Sequence, residues 1–186
     1  MRVIAGTFKG RRLKTPSWEG LRPTSDKLRE TLFNIVSPRI EGARVLDGFA
    51  GTGAVGIEAL SRGASHVTFI EADRRAVSLI EGNLAVCGAR DGYTVRCGDV
   101  LAVLQRMPAG ETFSLVFLDP PYEGTRAARV LDAAASRLAT EGLLVLERAT
   151  RTAPDLPDSL TIVREVRSGD STLTFLQAAD RRPPTA

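Results

Sequence analysis

From Ala43 onward, short apolar runs alternate with amphipathic stretches of helical period, and this alternation restricts the fold more than any other feature of the chain. "RVLDGFA" reads as a strand entering a turn, and "GAVGIEALSRG" as a helix closed by glycine. "HVTFIEAD" and "RRAVSLIEGNLAVCG" repeat the pair, the helix ending at Gly88. "YTVRCGD", "VLAVLQRM", "FSLVFLDPP", "RAARVLDAAASRLA" and "GLLVLERA" continue it. Strand-helix-strand units need crossover connections, so the predicted core is a doubly wound, largely parallel sheet with helices on both faces. "LTIVREVRSGDSTLTFLQ" then supplies two strands about a Ser-Gly-Asp turn, an antiparallel C-terminal hairpin that brings the sheet to seven strands.

Ahead of this core, "RVIAGTFKG" and "RRLKTP" read as two short strands around a Lys-Gly turn, a small basic hairpin. "SWEGLRP" is loop by composition, and Thr24 can cap a helix over residues 25–36 that Ser37-Pro38 stops. The expected organisation is a hairpin-plus-helix extension over residues 1–38, an α/β domain over 39–179 and a disordered tail over 180–186. At 186 residues the chain suits one domain with an extension. Residues 1–38 carry eight Lys/Arg against three Asp/Glu, a net of +5, while the rest carries a net of −2. That asymmetry fits either a polyanion partner or a solvated basic start to the chain.

Two cysteines without CxxC spacing and a single histidine, His66, argue against a disulfide scaffold, a metal site or a histidine triad. Without a signal-like or membrane-spanning apolar run, the expectation is a reduced cytoplasmic protein with no metal and no membrane partner. His66 is expected at the surface, Cys87 and Cys97 in or near the core, and Trp18 as a cover over the first helix.

"DGFAGTGAVG" contains Gly51, Gly53 and Gly56 in the GxGxxG spacing, between a strand and a helix, with Glu71 twenty residues after Gly51. Taken alone, this is the dinucleotide fingerprint, with its acid for a ribose diol. Asp47, at the end of the first strand, favours a different adenosine cofactor. A carboxylate beside a pyrophosphate is repelled, whereas one beside the ammonium of a methionine moiety is attracted. S-adenosylmethionine carries that ammonium, a sulfonium and a ribose for Glu71. Asp99 ends the third strand and can accept from the adenine amine. Each acid has an ordinary alternative as a helix N-cap, strongest for Asp99 and weakest for Glu71, because Asp73 is better placed to cap.

Asp119-Pro120-Pro121-Tyr122 closes the fourth strand on the same edge. The Pro-Pro step makes an exposed, stiff turn. There, the Asp119 carboxylate and the Pro120 carbonyl can converge on an exocyclic amine and aim its lone pair at a methyl donor. Tyr122 can stack on a planar base. The plain alternative is a tight loop whose Asp caps the next helix and whose Tyr covers core.

Together with "GLRPTSDKLRETLFN", "LDGFAGTGAVGIEALSRGA" and "VTFIEAD", this motif order resembles the RsmD family of class I methyltransferases. The likeness covers nearly the whole chain, and "LRPTSDKLRE" is its most specific part. It implies a Rossmann-like methyltransferase fold and S-adenosylmethionine-dependent methylation of a guanine N2 in small-subunit ribosomal RNA, free or in the assembled 30S particle. It further implies cofactor contacts from Asp47, Gly51, Gly53, Glu71 and Asp99, with Phe49, Ala50, Ala72 and Val100 beside them, and amine contacts from Asp119 to Tyr122. Arg22, Pro23 and Thr24 would stand at the site entrance, and Lys9, Arg11, Arg12 and Lys14 could clamp RNA phosphates. Other readings are an amino-methyltransferase acting on DNA, another RNA or a protein glutamine, an NAD-dependent dehydrogenase, and a non-catalytic RNA-binding module. The dehydrogenase leaves Asp47 and Asp119-Pro120-Pro121-Tyr122 without a purpose. The intact acids argue against a decayed site.

Overall fold

The computed structural model describes residues 1–16, 18, 26–121 and 124–179. Seven strands form one sheet: β1 (Arg44–Gly48), β2 (His66–Glu71), β3 (Tyr93–Cys97), β4 (Phe113–Leu118), β5 (Leu138–Ala149), β6 (Leu160–Ser168) and β7 (Ser171–Ala178). Their spatial order is β3-β2-β1-β4-β5-β7-β6. β1 to β5 pair in parallel, and β7 runs antiparallel to both β5 and β6. Five helices accompany them: α1 (Asp26–Val36), α2 (Ala54–Ser61), α3 (Arg74–Cys87), α4 (Val100–Arg106) and α5 (Thr125–Ala135). The expected strand-helix alternation is thus present element by element.

Strand periodicity sorts the apolar side chains into two cores. Val45, Val67, Phe69, Leu115, Phe117, Val145 and Phe175 pack with Leu28, Leu32 and Phe33 of α1, Ile57 of α2, and Ile80 and Leu84 of α3. Leu46, Ile70, Val116, Leu118, Leu144, Leu146 and Leu176 pack on the opposite face with Leu104 of α4 and Val130 and Leu131 of α5. Odd-numbered residues of the central strands face α1 to α3 and even-numbered ones face α4 and α5, except Phe113, which precedes the register shift in β4 and packs on the α4–α5 side. Both faces are covered, which is why these strands read as continuous apolar runs.

The N-terminal segment doubles back as the sequence predicts, but with one antiparallel bridge, Arg2 to Arg12, in place of two strands. Competition for its backbone amides explains this. The Glu58 carboxylate, fully buried on α2, accepts from Ile4 N at 2.7 Å and Ala5 N at 3.0 Å. Thr7 N donates to Ser61 O at 2.7 Å, and Phe8 N to Ser61 Oγ at 2.9 Å. Gly6 allows this docking, because a Cβ there would lie 1.7 Å from Ser61 O. Glu58 also accepts from Arg62 Nε at 2.7 Å, with the fully buried Arg29 Nε 4.0 Å away. Arg29 in turn donates to Arg2 O and to Asp26 Oδ1. Further along, buried Asn83 of α3 accepts from Lys14 N at 2.7 Å and donates to Lys14 O and to Thr52 O.

The expected cap Thr24 lies outside the described residues, as do Arg22, Pro23 and residues 180–186. Cys87 is buried, but Cys97 is exposed, a correction to its expected place near the core. It is the last residue of β3, an edge strand whose residues are at most half-buried. His66 starts β2 and pairs its Nε2 with Thr94 Oγ1 at 3.0 Å.

Glu58 joins the N-terminal segment to the α/β core, so its removal has a defined cost. Glu58→Ala leaves two backbone N–H groups and the Arg62 guanidinium without their acceptor and removes the counter-charge beside buried Arg29. It should lower stability by about 3–5 kcal/mol, read from urea unfolding of the full chain.

Candidate active site

The carboxyl ends of β1, β2, β4 and β5 open into a cleft of about 1510 Å³. Phe49 to Thr52, Glu71 to Asp73, Asp99 and Asp119 to Pro121 line one side of it. Glu147 to Ala149, Thr152 to Asp155 and Asp170-Ser171 line the other. The β1–α2 turn holds Phe49 at φ 62 and Gly51 and Gly53 at φ 56 and 75. A left-handed phenylalanine is uncommon and marks a backbone held by its surroundings. Glu71 does much of that holding: Oε2 accepts from Gly51 N at 2.9 Å and Oε1 from Asp73 N at 2.9 Å. Gly56 lets α2 sit on β2, since a Cβ there would lie 2.2 Å from the Phe69 ring.

Asp47 is placed behind the cleft wall rather than on it. It is 4% exposed, and Oδ2 accepts from Gly56 N at 2.8 Å. It therefore serves the first turn of α2, whose N-cap, Gly53, has no side chain of its own. Burial pushes its carboxyl up to about 7, against the Gly56 bond, with help from the charges of Glu71 and Asp119. Asp99 does cap α4, accepting from Ala102 N at 3.1 Å, yet it also faces the cleft and pairs with Arg126 at 2.9 Å. The Ala102 amide, more than Arg126, holds its carboxyl below the usual range. Asp73 caps α3, as expected. Ala50, Ala72 and Val100 line the cleft beside these acids.

Asp119 follows β4 directly and is open to the cleft, with no hydrogen bond to its carboxylate among the described residues. The cleft walls and the neighbouring Glu147 push its carboxyl up to about 7. Pro120 and Pro121 line the cleft beside it, and Tyr122 lies outside the described residues. Asp47, Glu71, Asp119 and Glu147 share odd strand parity, so all four sit on the α1–α3 side of the sheet. The sequence reading missed Glu147, Arg75, Arg126 and the cleft role of Trp18. Glu147 was legible by the rule that found the others, an acid ending an apolar strand run. Trp18 instead depends on a long-range meeting: the Arg75 guanidinium lies 5.0 Å over its ring.

Lys9, Arg11, Arg12 and Lys14 are all exposed. Their segment runs back along α3, with Arg11 near Cys87, Lys14 bound to Asn83, and Trp18 against Arg75 at the cleft mouth. Among the described residues no cluster of His, Cys, Asp or Glu could hold a metal ion, and no helix is long and apolar enough to cross a membrane.

A mostly parallel seven-stranded sheet of this order, with its cleft at the carboxyl edge, is the architecture of S-adenosylmethionine-dependent methyltransferases. Within that class the chain belongs to the family described as Conserved hypothetical protein 95, the RsmD family, whose profile matches residues 1–177. Ribosomal RNA small subunit methyltransferase D of Haemophilus influenzae is 35% identical over 91% of this chain and 89% of its own length. The Escherichia coli K12 protein of the same name is 37% identical over 91% of this chain and 85% of its own. The solved structure of Escherichia coli YhhF, described as a methyltransferase, superposes with a TM-score of 0.83 at 32% identity, covering 96% of this chain and 97% of that one.

The site suits a ligand of S-adenosylmethionine's kind on its own evidence. Besides burial, the charges of Glu71 and Asp119 raise the proton affinity of Asp47 behind the cleft wall, and that of Glu147 raises the proton affinity of Asp119. A cationic ligand relieves that repulsion and a pyrophosphate worsens it.

The raised Asp47 carboxyl makes stability depend on pH. The unfolded chain releases this proton near 3.8 and the native protein near 7. Between those values the native state holds a proton that the unfolded state has lost, so stability falls as pH rises and levels off above about 7. Asp47→Asn keeps an acceptor for Gly56 and removes the penalty. Its stability relative to the unmodified protein should be about equal below pH 4 and should rise to an advantage of roughly 2–4 kcal/mol at pH 8 in urea titrations.

Proposed function

We propose that this protein transfers a methyl group from S-adenosylmethionine to the N2 amine of a guanine in small-subunit ribosomal RNA. The observation that carries the reading is the row of carboxylates at the strand ends. It offers acceptors to a ribose and an exocyclic amine, on a floor that favours a cationic cofactor. The names of the H. influenzae and E. coli relatives support the ribosomal substrate. In this reading residues 39–179 form the catalytic domain and residues 1–38 an extension that grips RNA.

When bound, the cofactor supplies a methyl group on a positively charged sulfur. The protein's part is to hold and orient. Glu71 has lone pairs beyond those used by Gly51 and Asp73, and these accept from the ribose hydroxyls. Asp99 keeps its place as helix cap while accepting from the adenine amine. Asp47 fixes the glycine loop from behind and adds negative potential where an ammonium is favoured. Gly51, Phe49, Ala50, Ala72 and Val100 give the ligand its close walls, while Gly53 shapes the turn behind them at φ 75, facing Ile57 and Ile80.

Asp119 and the Pro120 carbonyl accept the two hydrogens of the target amine, which fixes its lone pair toward the methyl group. Pro120-Pro121 keeps these two acceptors rigid, and Tyr122 stacks on the base. As the new N–C bond forms, one amine proton passes to Asp119, whose carboxyl near 7 can take and return it. Lys9, Arg11, Arg12 and Lys14 hold phosphates along α3, with Arg22 and Thr24 at the entrance.

Four measurements check this. Calorimetry should show binding of S-adenosylmethionine and none of NADH; the reverse would return the site to a dehydrogenase. Asp119→Ala should abolish methyl transfer to unmodified small subunits or free rRNA while retaining cofactor binding. In the unmodified protein the rate should rise with pH through about 7, as Asp119 loses its proton. Mapping the methylated nucleotide in a deletion strain, with and without the gene, identifies the base, and a DNA, adenine or protein product would replace the guanine assignment. Separately, the triple change Lys9→Ala, Arg11→Ala, Arg12→Ala should weaken RNA binding and lower the salt-dependence slope by about 2–3. Binding indifferent to both the change and salt would remove the clamp.

A further inference from the structure

Glu147 lies in β5 two residues before its end, and Asp119 follows β4 directly. Leu118 and Leu146 are paired in register, so Asp119 and Glu147 leave adjacent parallel strands at one level. Neighbouring strands lie about 4.8 Å apart, and the two residues share odd parity, so both carboxylates enter the cleft from one face. Glu147 is half-buried and lines the cleft, and its Oε1 accepts from Ser171 Oγ at 3.2 Å. Its backbone is paired to Leu173 of β7, which fixes where the carboxylate stands. The cleft runs past it to Thr152, Ala153 and Asp170, well beyond the glycine loop, so there is room for a base in addition to a cofactor.

Holding an amine does not require this second carboxylate. Asp119 and the Pro120 carbonyl already supply two acceptors, and two adjacent anions repel each other, the Glu147 charge adding to the burial that raises the proton affinity of Asp119. The arrangement makes sense if the ligand brings several donors side by side. Of the three nucleobases with an exocyclic amine, only guanine has an N–H next to it, at N1. Adenine and cytosine present a ring-nitrogen lone pair at the corresponding position, which a carboxylate repels.

We propose that Glu147 is a specificity-determining residue whose carboxylate accepts the N1–H of the guanine whose N2 amine Asp119 holds. The assignment rests on the guanine reading of the function and names the part of the site that enforces it. Ser171 keeps the Glu147 carboxylate turned toward the base by donating to one of its oxygens. A base with a lone pair at N1 sets that lone pair against the desolvated Glu147 carboxylate, the situation that gives polar pockets their largest discrimination.

The test uses rRNA carrying guanine or 2-aminopurine at the mapped nucleotide, free and reconstituted into unmethylated small subunits. 2-Aminopurine keeps the target amine and lacks the N1–H. The unmodified protein should prefer guanine by about 100-fold or more in kcat/KM. Glu147→Gln, whose amide can donate to a lone pair, should bind S-adenosylmethionine normally and lower that preference at least tenfold. A preference that stays the same in Glu147→Gln, even with both rates reduced together, would assign Glu147 a structural role and overturn the proposal. Equal rates on guanine and 2-aminopurine in the unmodified protein would overturn it too, leaving the guanine reading intact. Methylation of adenine or cytosine instead would defeat the guanine reading itself, and Glu147's role with it.

Discussion

The in-register pairing at the carboxyl edge of the sheet governs everything that happens in the cleft. Gly48 pairs with Ile70 on one side and with Leu118 on the other, and Leu118 pairs with Leu146, so β1 and β4 end at one height, β2 runs one residue past it and β5 three. Each chain then leaves the sheet into its own turn, and the residue at or just past each end projects above the same apolar floor. Because side chains alternate strictly along a strand, a shift of one residue in any pairing would send its acid to the α4–α5 side. Gly48 keeps β1 close to its neighbour, since a Cβ there would lie 2.6 Å from Leu118 Cδ2. The carboxylates meet because the strands do.

A second constraint ties the N-terminal segment to this edge. Glu58 on α2 and Asn83 on α3 bind backbone rather than side chains of residues 4, 5 and 14. The exposed basic side chains between are therefore free to differ in orientation while the path of the chain is fixed. Asn83 also donates to Thr52 O, so one side chain holds both the basic segment and the glycine-loop turn. The cost is visible at Arg29, fully buried, whose Nε and Nη1 have no hydrogen-bond acceptor among the described residues. Burial lowers its proton affinity, and Asp26 and Glu58 oppose that.

The central sheet was legible in the sequence because its signals are local and redundant. Apolar runs of strand length, amphipathic helices and glycine stops such as Gly88 agree with one another, and the elements from β1 to β7 follow the expected order, although α5 ends at Ala135 and β5 begins at Leu138, inside the stretch expected to be helix. The strand-end acids were legible for the same reason. The N-terminal segment was less so. Its alternation suggested two strands, but its amides found a carboxylate and a serine 53 or 54 residues away, and nothing local announces such a partner. Asp47 shows a related limit. Sequence places it at the end of β1 but does not say whether it faces the ligand or the helix behind, which depends on the path of the turn after it. Cys97 erred similarly, since an apolar residue in an edge strand has no guarantee of cover.

The cleft and the N-terminal segment carry opposite charge, and the proposed reaction needs them apart. A floor with Glu71, Asp119 and Glu147, and with Asp47 buried behind it, repels phosphate, so a nucleic-acid backbone cannot lie in it. Only a neutral base, taken out of its stack, can enter far enough to reach Asp119. The backbone must then be held elsewhere, within the reach of one flipped nucleotide, by groups whose positive charge is not already spent. Arg75 and Arg126 at the cleft mouth are engaged with Asp73 and Asp99, and Arg148 with Glu165. Lys9, Arg11, Arg12 and Lys14 are exposed along α3, on the side of the sheet that all four floor acids face. Attraction along the segment and repulsion at the floor thus act on different parts of one nucleotide, which orients the base inward and the phosphates outward before any base-specific contact forms.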